Sequence, residues 1–423
     1  MSAAKTGPGS PGITLGSDFR STYATLLILM AAGAYAIGAR VLGGLNVTGL
    51  TSITPWGVWV VFYIFFVGLS AGAFLLSTLI YVFGMHRFEK IGKEALLVSL
   101  ISMVVALCFI LLDLGRMDRF IYALWFGNAT SVLAWEVRFY MLYILLLAVE
   151  LFYAMRPDLV RLRGEASLRG RLAAALTRNR DNLSPAALER DHRVMRILGA
   201  LGIPLAILGV HGGTGTLFAV VKAQPYWNSA LFPVLFVVSA LVSGTALLMV
   251  LHIFRCRRQG RKLDLDLLRG MGALLLGFLA LDLMLEFYEY LIGAYRLEAA
   301  EWATLASIFA GRYAWSFWLI QIGLGAIIPV IILARGSRNS AGNLFLAALL
   351  VLAGIMAVRF HIVLPPLALP QLPGLPWGHY GPTWVEWVSS LGLMAMGMLL
   401  YVAGTNFLPV DGTAEDERSG NNG

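Results

Sequence analysis

Charge is what this sequence has least of. Only 13% of its 423 residues are Asp, Glu, Lys or Arg, where a soluble domain carries roughly 25%. Hydrophobic residues make up 58% of the chain, and the mean hydropathy is +0.76. That excludes a water-soluble globule, because one core cannot bury so much apolar surface, so lipid must solvate it. Cysteine is equally sparse. Cys108 and Cys256 form no CxxC, which excludes a disulfide framework and places any iron–sulfur cluster on another subunit. Residues 1–20 are rich in Gly, Ser and Pro, with no apolar core and no cleavage motif. They read as a disordered tail and not as a removed signal peptide. The acidic residues 410–423 read as a second disordered tail.

What is present is a series of apolar runs long enough to cross ~30 Å of hydrocarbon, which takes about 20 residues. Ten are expected, near 22–41, 55–83, 95–114, 131–154, 194–221, 230–254, 270–291, 313–333, 343–363 and 385–407. The fold class is therefore an all-α integral membrane domain spanning residues 21–409. The net charge of +8 comes from basic residues gathered between the runs, which is the pattern of membrane topology and not of nucleic-acid binding. Arg87, Lys90 and Lys93 follow span two; nine arginines lie in a loop at 155–193; Arg255, Arg257, Arg258, Arg261 and Lys262 follow span six; Arg335 and Arg338 follow span eight. The even loops, and with them both termini, are expected on the cytoplasmic side of a bacterial inner membrane.

An internal repeat is visible. Gly72, followed by Leu75-Leu76, matches Gly244, followed by Leu247-Leu248. Leu112-Asp113 resembles Leu281-Asp282, and Ala134-Trp135 resembles Ala314-Trp315. This predicts two parallel four-helix units, spans two to five and six to nine, flanked by spans one and ten.

Ionisable residues inside hydrocarbon are costly and usually functional or paired. Here most fall at one depth, the extracytoplasmic half. Asp113 and Arg116 end span three, and Glu136 and Arg138 begin span four. His211 lies in span five; Asp282, Glu286 and Glu289 in span seven; Arg359 and His361 in span nine; Glu386 opens span ten. Glu150 and His252 sit near the opposite interface. Bland readings stand beside the functional ones: Asp113–Arg116 as an ion pair at i and i+3, Arg138 as a partner of Glu136, Glu286 and Glu289 as interfacial groups. Glu136 breaks the repeat, since Ser316 occupies its place in the second unit. A cluster of this kind suits a quinone, whose two carbonyls need hydrogen bonds and protons and whose flat ring needs aromatic and small neighbours. Trp56, Gly57 and Trp59, and the run from His211 through Gly215, fit those needs. A haem-b subunit, which needs axial histidines at matched depth, and a secondary transporter are the alternatives. His211 and His361 share a level, and no clearly broken helix pair marks the midplane.

The run Pro55-Trp56-Gly57-Val58-Trp59 with Gly68 to Gly72 resembles the second helix of NrfD/PsrC-type membrane subunits. Asp113-Leu114-Gly115-Arg116, Asn128, Ser131 to Leu133 with Glu136, His211 with Gly215, Pro225 with Trp227, and Pro382-Thr383-Trp384 with Glu386 are similar to the ten-helix HybB-type branch. The resemblance implies a quinone-reactive anchor, for menaquinone or ubiquinone, with no haem or cluster of its own and no metal site. It implies a ferredoxin-like [4Fe–4S] partner on the extracytoplasmic face and a catalytic subunit of a hydrogenase, molybdopterin or sulfur-cycle complex. By carry-over, Glu136, His211, Asp113 and Arg116 stand at the quinone, with Trp56, Trp59, Gly72, Arg138, Gly215, Asp282 and Glu386 around it. Leu251-His252 departs from the branch, which has a glutamate there.

Overall fold

The computed structural model describes residues 17–410 apart from 179, 336–339, 371–373 and 375. Nearly all of the tail at 1–20, Arg338 and all but the first residue of the tail at 410–423 therefore lie outside the described residues. Among the described residues there is no strand. Ten helices are long and apolar enough to span a membrane. They are α1 (Ser17–Gly43), α2 (Val58–Tyr81), α3 (Glu89–Asp113), α4 (Val132–Leu162), α5 (Pro185–Ala219), α6 (Phe232–Arg258), α7 (Leu265–Arg296), α8 (Ser316–Ala334), α9 (Ala341–Ala368) and α10 (Trp384–Phe407). Each coincides with a predicted apolar run, because hydropathy alone dictates which segments leave water.

The helices sort into the two units that the repeat predicts. One comprises α2 to α5, the other α6 to α9, and α1 pairs with α10 alongside α3. The units meet where α2 crosses α6. A Cβ on Gly72 would overlap the Ala240 carbonyl oxygen, and one on Gly244 would overlap the Gly72 carbonyl carbon. Matched repeat positions thus face each other backbone to backbone, the close approach that small residues permit between membrane helices. Gly33 and Gly392 do the same where α1 crosses α10.

Two spans depart from regular α-geometry. In α5, residues Leu205–His211 wind as a π-helix, directly after Pro204, whose missing N–H disrupts the i to i−4 ladder. In α8, residues Ser316–Ile327 do so, just before Pro329. Both helices continue through the π-turns, so neither is a broken span, but each has a widened segment of the kind that concentrates at functional sites. The stretch 155–193 contains more helix than a loop reading implies. α4 runs on to Leu162, and a short helix, Leu168–Leu176, is capped by Ser167. Buried Arg156 ties the stretch together by pairing with Asp191 and donating to the carbonyls of Arg180 (2.9 Å) and Asn182 (3.0 Å).

The α2–α6 crossing generates a prediction. Gly72→Val should cost roughly 1–3 kcal/mol or more by forcing the two backbones apart. Thermal unfolding in detergent should show a lower midpoint than the wild-type chain or Gly277→Val, since a Cβ at Gly277 meets nothing within 4 Å.

Candidate functional site

Glu136, in the first turns of α4, is 1% exposed. Its Oε1 accepts from the Tyr140 hydroxyl at 2.5 Å, one turn along the same face. Tyr140 in turn meets the Tyr63 hydroxyl of α2 at 2.5 Å and the Thr214 hydroxyl of α5 at 2.8 Å. Three helices therefore converge on one carboxyl, whose Oε2 has no partner among the described residues. Thr214 lies one turn from His211, and its hydroxyl donates to the Val210 carbonyl (2.9 Å). The π-turn and the glycines that follow present the His211 imidazole to α2 and α6. Gly68 lets the ring lie against the α2 backbone, since a Cβ there would come within 3.2 Å of its Cε1. Phe236 covers another side at 5.4 Å. Both ring nitrogens of this 1% exposed histidine lack a hydrogen-bond partner among the described residues.

An aromatic ladder extends the cluster. Trp56 stacks on Trp227 (5.4 Å, 23°) and meets Phe218 edge-on (5.7 Å), and Phe218 lies 5.8 Å from Phe236. Trp56 and His211 thus bound one aromatic patch. Trp59 is fully buried and donates to the Ser389 hydroxyl of α10 (3.1 Å), which makes it a tie between helices.

Several residues singled out in the sequence stand elsewhere. Arg116 does not pair with Asp113. The helix ends at Asp113, Leu114 is extended, and Arg116 lies on the exposed surface bound to Asp118 (3.0 and 3.1 Å). Asp113 instead has buried Arg40 as its electrostatic neighbour; that guanidinium holds the carbonyls of Leu112 and Leu114 (3.0 and 2.7 Å). Arg138 does not reach Glu136. It donates to the carbonyls of Leu124 and Gly127 and lies over Trp135, because residues two apart on a helix point different ways. Gly72 and Gly215 make room for backbone rather than a ring: a Cβ on Gly215 would meet Pro233 Cα at 2.6 Å. Glu386 is a capping group. Its Oε2 accepts from the amides of Gly49 (2.8 Å) and Thr383 (2.9 Å) and its Oε1 from Tyr380 (2.5 Å). Burial and that bond push the Tyr380 phenol well up, so it remains a donor.

Asp282 belongs to a second cluster, in the other unit. Glu286 is no interfacial group: it is 7% exposed, and its Oε2 accepts from Gln321 of α8 at 3.0 Å. Gln321 Oε1 meets His361 Nδ1 (2.7 Å), and His361 Nε2 meets the Ser316 hydroxyl (2.8 Å). Both nitrogens of His361 are thus engaged, unlike those of His211. Arg359 donates to Ser239 (2.8 Å) and lies 4.4 Å over Phe236. Phe236 therefore separates the two clusters and touches both.

Toward the basic end of the bundle, His252 has a partner that sequence reasoning missed. Glu94 of α3 meets its Nδ1 (3.0 Å), Arg255 (2.9 Å) and Tyr401. The one signal was Glu94 at the edge of an apolar run, where a solvated residue is the ordinary expectation. Tyr140 was more legible, four residues after Glu136 on one helical face; Tyr63 and Thr214 could be assigned only by the packing.

Comparison with known proteins places this arrangement in context. The family model described as "Polysulphide reductase, NrfD" matches residues 46–370. The chain is 39% identical to a selenate reductase subunit of Mesobacillus selenatarsenatis, over 92% of this chain and 94% of that one. It is 30% identical to a putative dimethyl sulfoxide reductase membrane subunit of Halobacterium salinarum (95% and 93%). It is 29% identical to the Hdr-like menaquinol oxidoreductase integral membrane subunit of Archaeoglobus fulgidus (90% and 92%).

The reassignment of Glu386 is testable. Glu386→Ala leaves several buried donors without their acceptor and should cost roughly 2–4 kcal/mol. Scanning fluorimetry in detergent should show a lower unfolding midpoint, and an unchanged midpoint would return Glu386 to the candidate site.

Proposed function

Because this chain belongs to the NrfD polysulphide reductase family, we propose that it is the quinone-reactive membrane subunit of a respiratory oxidoreductase. It is a multi-pass membrane protein, and its relatives carry the names of subunits of reductases and oxidoreductases, so a catalytic partner completes it. In this reading electrons pass between quinone, menaquinone or ubiquinone, and a ferredoxin-like [4Fe–4S] subunit. That subunit docks at the end of the bundle carrying Glu136 and His211, with the basic loops and both termini in the cytoplasm. The name of the menaquinol oxidoreductase relative supports the substrate class.

The observation that carries the proposal is the pair of unsatisfied groups. Buried polar atoms nearly always find partners, yet Glu136 Oε2 and both nitrogens of His211 have none among the described residues, and the bonds from Glu136 through Tyr140 and Thr214 end on the Val210 carbonyl, beside His211 in the chain. Reducing a quinone to a quinol takes two electrons and two protons, and oxidation returns them. Glu136 exchanges one proton at Oε2, while Tyr140 holds its other oxygen in place. His211 hydrogen-bonds the facing carbonyl and exchanges the second proton. Half-buried Trp56, backed by Phe218, supplies flat apolar surface for the ring.

Glu136→Gln keeps the shape and removes the proton exchange. The complex should assemble normally and lose quinone-linked turnover by at least about 100-fold, measured in membrane vesicles with a quinol as donor or a quinone as acceptor. Retained turnover removes Glu136 from the mechanism. Purification of the tagged chain in mild detergent should bring down a cluster-containing protein, visible as broad iron–sulfur absorbance. A chain that purifies alone from such membranes overturns the anchor role.

A further inference from the structure

The second unit contains a cavity and a groove that the site around Glu136 and His211 does not use. The cavity, of about 30 Å³, is lined by Phe236, Ser239, Asp282, Glu286, Tyr290 and Arg359. It is the size of a single water-sized group. Asp282 and Arg359 are each 1% exposed, and Asp282 Oδ1 and Arg359 Nε have no hydrogen-bond partner among the described residues. Two buried ionisable side chains, each with an unbonded atom, thus line one small space.

The groove lies between α7 and α8 and has a volume of about 440 Å³, lined by Phe287, Leu291, Phe309, Trp318 and Ile322 among others. That is within the roughly 300–1,000 Å³ of small-molecule sites. Phe287 is 61% and Trp318 56% exposed, so the groove faces the lipid. Glu286 and Tyr290 line both spaces and form the polar end of the apolar groove. The rings of Tyr290, Phe309 and Phe317 meet edge-on at 4.9–5.8 Å, an aromatic wall at that end. Phe317 of this wall stands on the π-wound segment of α8, which also carries Gln321.

The chemistry of the polar end selects the occupant. Asp282, Glu286 and Glu289 set three carboxyls around one guanidinium, which leaves a phosphate group a single cationic partner that the carboxyls already surround. The polar partners that reach the groove are the Tyr290 hydroxyl and the Glu286 carboxyl, a pairing that suits a neutral ring bearing carbonyls or hydroxyls. The apolar groove takes a hydrocarbon chain from the lipid. We propose that the second unit has its own binding site for an isoprenoid quinone or quinol. The molecule enters from lipid between α7 and α8, its ring edge at Glu286 and Tyr290 and its chain along Leu291 and Ile322. This rests on the quinone reading of the whole chain, and it assigns the second site binding alone. Phe236 lines the small cavity behind the groove and also touches His211 and Arg359.

The test uses the intact complex in native membranes, labelled with an azido-quinone bearing an isoprenoid chain and analysed by peptide mass spectrometry. Two groups of labelled peptides are expected, one from α2, α4 and α5 and one from α7 and α8. Leu291→Trp, at a lipid-facing position that tolerates bulk, should lower the α7–α8 label by at least about tenfold with the first group retained. Glu286→Gln should do the same if it folds. Excess unlabelled quinone should displace the label, and excess phosphatidylglycerol should not. Label confined to the first group, insensitivity to Leu291→Trp, or displacement by phospholipid overturns the second site while leaving the proposed function intact. No displaceable label anywhere, together with full turnover in Glu136→Gln, overturns both.

Discussion

The crossing of α2 and α6 at Gly72 and Gly244 is the contact on which the remaining architecture depends. Membrane helices gain no hydrophobic free energy by leaving lipid for each other, so their association relies on close packing and polar contacts. Here the two units abut through backbone, with no side chain between the two glycines. From that point the geometry of the polar clusters follows. One turn before Gly72 on α2, Gly68 receives the His211 ring. On α6, Phe236 and Ser239 precede Gly244 and reach His211 on one side and Arg359 on the other. Bulk at the crossing would separate the two units and, with them, the clusters that now share Phe236.

Lipid sets the second constraint. An ionisable group inside the membrane must be held by protein, since nothing in the hydrocarbon can solvate it. The bundle meets this demand unevenly. Glu94 is held by Arg255, His252 and Tyr401, Glu386 by two amides and a phenol, and His361 by Gln321 and Ser316. Those groups have no capacity left for a ligand. Glu136, His211, Asp282 and Arg359 each retain an unused atom, and all four stand toward the end of the bundle opposite the basic loops. Glu150, fully buried nearer the basic loops, also keeps both carboxyl oxygens unbonded, so what sets Glu136 and His211 apart is leftover hydrogen-bonding capacity in two groups on converging helices rather than residue type.

That distinction also marks where sequence reading succeeds. The ten spans and the two-unit repeat were legible, because each depends on hydropathy and spacing along one chain. Partner assignment was not. Asp113 and Arg116 have helical spacing, but the helix stops between them, so the spacing loses its meaning. Glu136 and Arg138 are neighbours in sequence and face different ways. Gly72 and Gly215 were read as room for a ring and turned out to be room for another helix's backbone. Tyr63 and Thr214 carry no local mark of their roles, which exist only because α2, α4 and α5 converge. Glu94, just before the third predicted span, drew no reading from the sequence, and only α6 and α10 make it a buried counter-charge.

The two units share a scaffold and differ in chemistry. Where the first has Glu136, the second has Ser316, and that hydroxyl occupies His361 where the first unit leaves His211 unbonded. The carboxyls of the second unit sit instead on α7, at Asp282 and Glu286, opposite Arg359. A duplicated bundle whose halves were equivalent would present the same unsatisfied groups twice. Here the first unit leaves a carboxyl and an imidazole open, a pair suited to exchanging protons. The second leaves a carboxyl oxygen and a guanidinium nitrogen open on a cavity of about 30 Å³, room for one water-sized group. Substituting Ser316 by a carboxyl would not convert one into the other, because Gln321 and His361 would still be bonded to each other and the α7 carboxyls would face a third. The functional difference lies in which helix carries the charge, and the sequence repeat conceals it.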